Sequence, residues 1–243
     1  MPQGDRALIF DTIVSLADLT GAMVEPWVEA GYNAVLVDPQ HAPGIAQDGR
    51  VTRVGHVLDD SLTWAYLRQL IKERRIAFVA GFPVCTELAV SGTAHWQTKR
   101  ERDPHFQARA MQLVHECRVV GELSGAPWFF ENPVSAISSI YRQPDFTFNP
   151  CDYGGYLDEI DAHPLYPEYY PPRDAYMKRT CLWAGGGFIM PPKRPVEVDA
   201  EQRSGQGGSK AHNKLGGTSD KTKNIRSATP RGFARAVYEA NAL

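Results

Sequence analysis

Short apolar runs alternate along the first part of the chain with stretches whose apolar residues recur at helical spacing. That is the pattern of a parallel sheet wrapped by helices. Thr12 to Leu16 (TIVSL) predicts a first strand and Met23 to Ala30 the helix behind it. Asn33 to Asp38 (NAVLVD) predicts a second strand, almost wholly apolar as a strand buried on both faces should be. Trp64, Leu67, Leu70 and Ile71 mark one face of a helix over Leu62 to Arg74, and Ile76 to Ala80 (IAFVA) predicts another strand. A long amphipathic helix is expected over Phe106 to Leu123, followed by a strand at Trp128-Phe129-Phe130. Units in this order predict a doubly wound sheet, whose ligands lie beyond the carboxyl ends of its strands.

After Tyr141 the pattern changes. Residues 144–195 are rich in proline, tyrosine and glycine, with one short strand expected at Arg179 to Trp183. Residues 203–224 (RSGQGGSKAHNKLGGTSDKTKN) are glycine-rich and basic and predict a flexible loop. A closing helix is expected near Thr229-Pro230, with threonine as N-cap and proline in the first turn. The expected domains are therefore a catalytic and cofactor-binding unit over 1–141, a small recognition lobe with a basic loop over 142–224, and a C-terminal helix within 225–243 that packs back on the first unit.

Composition narrows the function classes. Of 243 residues 43% are hydrophobic and 22% charged, which suits one α/β domain with a full core. No apolar run reaches the roughly 18 to 20 residues that span a bilayer. No basic region leads into an apolar stretch at Met1-Pro2-Gln3-Gly4, so a cytoplasmic protein is expected. Cys85, Cys117, Cys151 and Cys181 lie far apart and form no CxxC pair, so neither a disulfide framework nor a metal site is expected. A net charge of −2 argues against an overall electrostatic grip on nucleic acid and leaves room for a local basic patch.

Two stretches carry the chemistry. Gly81-Phe82-Pro83-Val84-Cys85-Thr86-Glu87-Leu88-Ala89-Val90-Ser91-Gly92 follows the strand IAFVA directly, so Cys85 belongs to a loop at the carboxyl end of the sheet. Glu131-Asn132-Pro133 follows the next strand. In a parallel sheet these loops can converge on one pocket. A thiol beside a carboxyl group suits covalent chemistry on a pyrimidine, whose carbon 5 is unreactive until a nucleophile adds at carbon 6. The acid would protonate or hydrogen-bond the ring edge at nitrogen 3, where negative charge develops.

GFPVCTELAVSG resembles the nucleophile loop of the DNA cytosine-5 methyltransferases, and ENP resembles their Glu-Asn-Val/Pro motif. Ser15-Leu16-Ala17-Asp18-Leu19-Thr20-Gly21, with Val37-Asp38 further on, is similar to their cofactor loop and the acid ending the second strand. Lys178-Arg179-Thr180-Cys181-Leu182-Trp183 and Arg226-Ser227-Ala228-Thr229-Pro230-Arg231-Gly232-Phe233-Ala234 resemble a compact phage and bacterial branch. The resemblance covers about residues 7 to 140 in order, with these two further pieces.

This resemblance implies a three-layer, Rossmann-like S-adenosylmethionine-dependent methyltransferase fold with a small irregular second lobe. It implies transfer of a one-carbon group from S-adenosylmethionine to carbon 5 of cytosine in DNA. Cys85 would attack carbon 6, Glu131 would hold the pyrimidine edge, and Arg179 would contact the base. Ser15, Asp18, Thr20 and Gly21 would line the methionine end of the cofactor, Asp38 would bind its ribose, and Asp59, Phe82 and Pro83 would complete its pocket. Asn132, Pro133, Ser91, Lys178, Arg226 and Arg231 would contact substrate. The chain would act as a monomer, without metal or membrane.

Three alternatives stay open. The donor could be a modified S-adenosylmethionine delivering a larger group such as carboxymethyl, the substrate could be a free pyrimidine nucleotide, or the chain could be a catalytically silent DNA-binding relative. The sequence also departs from the family: the glycine-rich cofactor loop is thinned to Thr20-Gly21, and Gly55-His56 stands where Gly-Asp is usual. Blander roles compete as well. Cys117 and Cys181 suit a core, His41, His95 and His105 suit loops, and Tyr166, Tyr169 and Tyr170 suit lobe packing as much as base stacking. Lys210, Lys214, Lys221 and Lys223 suit a solvated loop as much as a phosphate site.

Overall fold

The computed structural model describes residues 10–199, 215 and 219–242. Eight strands form one mixed sheet in the order β3-β4-β2-β1-β5-β6-β8-β7. They are β1 Thr12–Leu16, β2 Asn33–Val37, β3 Ile45–Asp48, β4 Val51–Val54, β5 Ile76–Gly81, β6 Trp128–Pro133, β7 Phe146–Phe148 and β8 Thr180–Gly185. β4, β2, β1, β5 and β6 run parallel, while β3 pairs antiparallel with β4, and β8 antiparallel with both β6 and β7. Counted by appearance, the parallel strands take the doubly wound order 3-2-1-4-5, with its reversal between β1 and β5.

Helices cover both faces, because successive side chains of a buried strand point to opposite sides. Val14, Leu16, Val35, Val37, Val79 and Phe130 pack under α2 (Ser61–Lys72) and α4 (Phe106–Ser124). Ile13, Leu36, Phe78 and Phe129 pack under α1 (Glu25–Glu29) and the last helix, α7 (Arg231–Asn241). Shorter helices are α3 (Trp96–Arg102), α5 (Ile137–Ile140) and α6 (Asp220–Ser227).

The apolar runs that predicted β1, β2, β5 and β6 form those strands. Three expectations change. Among the described residues of 142–224, β7 and β8 join the sheet. Leu182 of β8 enters one core and Cys181 and Trp183 the other, so this strand is buried on both faces. Between the two strands the chain runs through 3-10 turns around the buried rings of Tyr153, Tyr170 and Tyr176. Residues 220–224 of the expected basic loop are helical instead, because Ser219 accepts from Thr222 N at 3.2 Å and starts α6, which buries Thr222 and Ile225; residues 203–214 and 216–218 lie outside the described residues. Lys210 and Lys214 lie outside the described residues. Thr229 is not the cap of the closing helix: Pro230 precedes its first turn, and the buried Asp174 carboxylate accepts from Gly232 N at 2.8 Å.

Candidate active site

The loops leaving β1 and β5 turn to opposite faces of the sheet, and the crevice between them is where a doubly wound fold binds ligands. Phe82 N donates to Leu16 O at 2.9 Å and ties the two loops together at their roots. In the first loop the Asp18 carboxylate, buried at 4% exposure, accepts from Ser15 Oγ at 2.7 Å, Thr20 N at 3.0 Å and Gly21 N at 2.8 Å. Asp18 therefore organises the loop rather than offering a free carboxylate to a ligand. Gly21 has φ +73, and a Cβ there would stand 2.9 Å from Leu36 Cδ1, so this one glycine carries the sharp turn.

Asp38 ends β2 beside this loop, and its Oδ1 accepts from Gln40 N at 2.8 Å. Burial pushes its carboxyl above the usual carboxylate range, and the neighbouring Asp18 charge adds to this. The segment after Asp38 rests on Gly55. A Cβ at Gly55 would come within 1.9 Å of Ala42 O, and Gly55 N donates to Gly44 O at 2.8 Å. The departure from Gly-Asp thus keeps the glycine for a packing reason. Of the two acids that follow, Asp60 caps α2 through Leu62 N at 2.8 Å and Asp59 is exposed.

The second half of the site is built by β5 and β6. Asn132, 1% exposed, donates its amide to Pro83 O at 2.8 Å, which fixes the Cys85 loop against the end of β6. Val90 N to Val134 O at 3.0 Å and Ala136 N to Leu88 O at 2.8 Å zip the rest of that loop to the segment after β6. Phe82 is half-buried and meets Phe129 edge-on at 6.1 Å. Ser91 is exposed in the turn before α3.

Cys85 is half-buried, and its carbonyl accepts from Leu88 N and Ala89 N. Burial pushes its thiol above the ordinary cysteine value, the Glu131 carboxylate adds to this, and the Lys178 ammonium pulls it down. Glu131 is itself raised by burial and lowered by Lys178, and its enclosed Oε2 has no partner among the described residues. Such an orphaned oxygen is costly unless a ligand meets it. The three groups feel one another, so the structure brings Cys85, Glu131 and Lys178 together.

Arg179 is not part of this cluster. It is exposed, and its charge acts on Cys181 instead. Lys178 was expected only as a substrate contact. It takes the inner place because its Nζ donates to Arg226 O, at 3.0 Å, in the last turn of α6. Arg226 in turn donates to Leu215 O. Arg231 pairs with Asp161, lies 3.9 Å from Glu25 and donates to Ala162 O at 3.4 Å. At the head of α7, Asp174 already fills the anion position, with its carboxyl raised by burial to about 6. Arg231, expected to contact substrate, is therefore engaged within the chain, and the start of α7 is already filled by Asp174. Tyr176, which no motif marked, is wholly buried and close enough to Glu131 to feel its charge.

No known family model matches the sequence, and no curated protein matches it. Among solved structures it is similar to a candidate DNA modification methyltransferase encoded within a prophage of E. coli, at 13% identity and a TM-score of 0.44. The match covers 79% of this chain and 53% of that one, so this chain spans about half the length of the neighbour. Among the described residues, no helix is long and apolar enough to cross a membrane, and no group of three or more His, Cys, Asp or Glu could hold a metal ion.

The electrostatics of the cluster can be tested without substrate. Lys178→Met removes the cation that, among the described residues, acts on Cys85, so its thiol should titrate higher and be less ionised at any given pH. Alkylation of Cys85 by iodoacetamide at pH 8, followed by peptide mass spectrometry, should slow by about three- to tenfold. Lys178→Arg should restore most of the rate. An unchanged rate in the methionine variant would place the ammonium elsewhere.

Proposed function

We propose that the chain transfers a one-carbon group from S-adenosylmethionine to carbon 5 of a pyrimidine, with cytosine in DNA as the substrate. One observation carries this reading. Cys85, with a half-buried thiol, and Glu131, with an orphaned buried carboxylate oxygen, lie at the carboxyl edge of the sheet, where the Asn132 to Pro83 hydrogen bond fastens the Cys85 loop to β6.

The chemistry follows from the protonation states. Burial favours a neutral carboxyl at Glu131, so that group can donate a hydrogen bond or proton to nitrogen 3 of the ring. The Cys85 thiol loses its proton to water, and the thiolate sulfur then bonds to carbon 6. The electron pair of the 5,6 double bond then moves onto carbon 5, and negative charge spreads toward the ring edge that Glu131 holds. The Lys178 ammonium stabilises the sulfur while it is anionic. After transfer, water takes the carbon 5 proton, whose electron pair re-forms the 5,6 double bond and expels the Cys85 thiolate, and nitrogen 3 returns any donated proton to Glu131. Lys178, with its Nζ held at Arg226 O, is the positioning charge in both directions.

S-Adenosylmethionine supplies an electrophilic methyl group on its sulfonium. The residues present fit such a cofactor in one respect and depart in another. The crevice at the strand reversal is walled by the tight Thr20-Gly21 turn and by an acid ending β2, which suits ribose hydroxyls at Asp38. Asp18 instead spends its carboxylate inside the loop, so the methionine end would be held by loop backbone. Asp38→Ala is expected to weaken S-adenosylmethionine binding by about 10- to 150-fold, the loss of a charge-assisted hydrogen bond of about 1.5 to 3 kcal/mol. Calorimetric titration of the folded variant checks this, and unchanged affinity moves the ribose elsewhere.

The reading as a whole is tested by incubating the protein with S-adenosylmethionine and DNA containing 5-fluorocytosine. Fluorine cannot leave as a cation, so the adduct should persist and map to Cys85. Mass spectrometry of nucleosides from ordinary DNA treated alike should give 5-methylcytosine. A larger added mass identifies a modified donor, and modification of a free nucleotide alone removes DNA as the substrate. If no pyrimidine in any form is trapped or modified, the reaction proposed here is wrong.

A further inference from the structure

The loop that carries Cys85 also walls a cleft of about 440 Å³ against α3 and the first half of α4. Val84, Phe106 and Leu113 give the cleft an apolar lining, Lys99, Arg102 and Arg109 bring cations to it, and Glu87 and Asp103 bring carboxylates. Val84 is 57% exposed although it adjoins the nucleophile, a place where an apolar side chain gains nothing from water.

The cations are not equivalent. Lys99 sits 2.8 Å from the Glu87 carboxylate and donates to Thr86 O at 3.1 Å, so it braces the Cys85 loop. Arg109 is paired with Asp103. Arg102 is exposed and has no hydrogen bond or ion pair among the described residues. The segment from His95 to Arg109 holds Lys99, Arg100, Arg102 and Arg109 against only Glu101 and Asp103, in a chain whose net charge is −2. Positive charge is thus concentrated beside the nucleophile, around a cleft with an apolar lining.

Such a lining with one uncommitted guanidinium suits a flat ring joined to a phosphate. The volume is in the range of small-ligand sites, about 300 to 1,000 Å³, and admits one nucleotide but not a duplex. Val84 and Cys85 are consecutive, so their side chains can serve adjacent positions of one strand. We infer that this cleft holds the nucleotide next to the target pyrimidine in a single nucleic-acid strand, its base against Val84 and Phe106 and its phosphate on Arg102. The inference rests on the pyrimidine chemistry proposed at Cys85. It adds that the strand around the target is unpaired, and that the cleft reads the neighbouring base by contact with its face.

The experiment is a fluorescence-anisotropy titration of a labelled single-stranded DNA hexanucleotide containing one cytosine. Wild type is compared with Arg102→Ala, Val84→Asp and Arg118→Ala, the last a control on α4 whose guanidinium is paired with Glu122. Arg102→Ala and Val84→Asp should each weaken binding about tenfold. Arg102→Ala should also flatten the salt dependence by about 0.7 units of slope, one phosphate contact on a single strand. Arg118→Ala should match wild type.

The same samples, given the oligonucleotide with 5-fluorocytosine and S-adenosylmethionine, report the Cys85 adduct independently. Binding that ignores Arg102 and Val84 while the adduct forms overturns the cleft and leaves the reaction. Arg102-dependent binding with no adduct supports the cleft and overturns the reaction. If a free pyrimidine nucleotide binds through Arg102 as tightly as the hexanucleotide does, the cleft belongs to that nucleotide and the strand assignment fails.

Discussion

Cys85→Ser is expected to lower turnover by on the order of 10³-fold or more, equivalent to about 4 kcal/mol of transition-state stabilisation. A serine hydroxyl is far less acidic than a thiol and a much poorer nucleophile toward carbon 6, and no other side chain in the cluster can take its place. In the proposed reaction Glu131 serves the ring edge, and Lys178 is tied to the carbonyl of Arg226. The matched variants are Cys117→Ala and Cys181→Ala. Cys117 is 2% exposed and faces Gly81, and Cys181 is 4% exposed within β8, so neither sulfur can meet a substrate. Both variants should keep turnover within a few-fold of wild type in a folded protein. Methyl transfer is read from tritiated cofactor, and adduct formation from intact-protein mass. Wild-type turnover by Cys85→Ser would end the covalent mechanism, and loss in all three variants would point to stability rather than chemistry.

Gly55→Ala is expected to destabilise the protein by about 3 kcal/mol, at the upper end for forcing an extra carbon into packed surroundings. The new Cβ would lie 1.9 Å from the backbone oxygen of Ala42, and a backbone atom cannot swing aside as a side chain can. In a domain of this size the melting temperature should fall by roughly 6 to 12 °C. The displaced segment also carries Asp38, Gln40 and His41, whose ring nitrogen Nε2 lies 3.3 Å from Asp18 O. Affinity for S-adenosylmethionine should therefore fall together with stability. Gly49→Ala is the comparison, because a Cβ there meets nothing within 4 Å and costs only the left-handed backbone strain of φ +57, about 1 to 2 kcal/mol. Equal losses in the two variants would mean that contact with Ala42 is not what Gly55 provides.

Much of the sheet was legible because its central strands are buried on both faces, and such strands must be nearly continuous apolar runs. TIVSL, NAVLV and IAFVA are of that kind, and each became a strand of the sheet's middle. β3 lacked the signal: Ile45 to Asp48 is exposed throughout and owes its place to pairing with β4. α6 was hidden for a similar reason, since only Thr222 and Ile225 of its polar sequence are buried. β8 was visible as a strand, but nothing local to its sequence said that it would slot between β6 and β7.

For the site, the sequence by itself determined which residues carry reactive groups and that the Cys85 loop follows β5. Those facts are local, fixed by residue type and by the end of each apolar run. Glu131, expected in the loop after the next strand, instead lies within β6, paired with Leu182 of β8. Only the tertiary structure decided which charges share a pocket. It drew Lys178 in and left Arg179 outside, because the carbonyl that holds Lys178 comes from Arg226, 48 residues along the chain. It likewise gave Asp18 to its own loop, and Asp174 to the start of α7. Long-range pairing sets these choices, since a buried charge or an orphaned amide takes whatever partner the packing brings within reach, and sequence spacing does not record that distance.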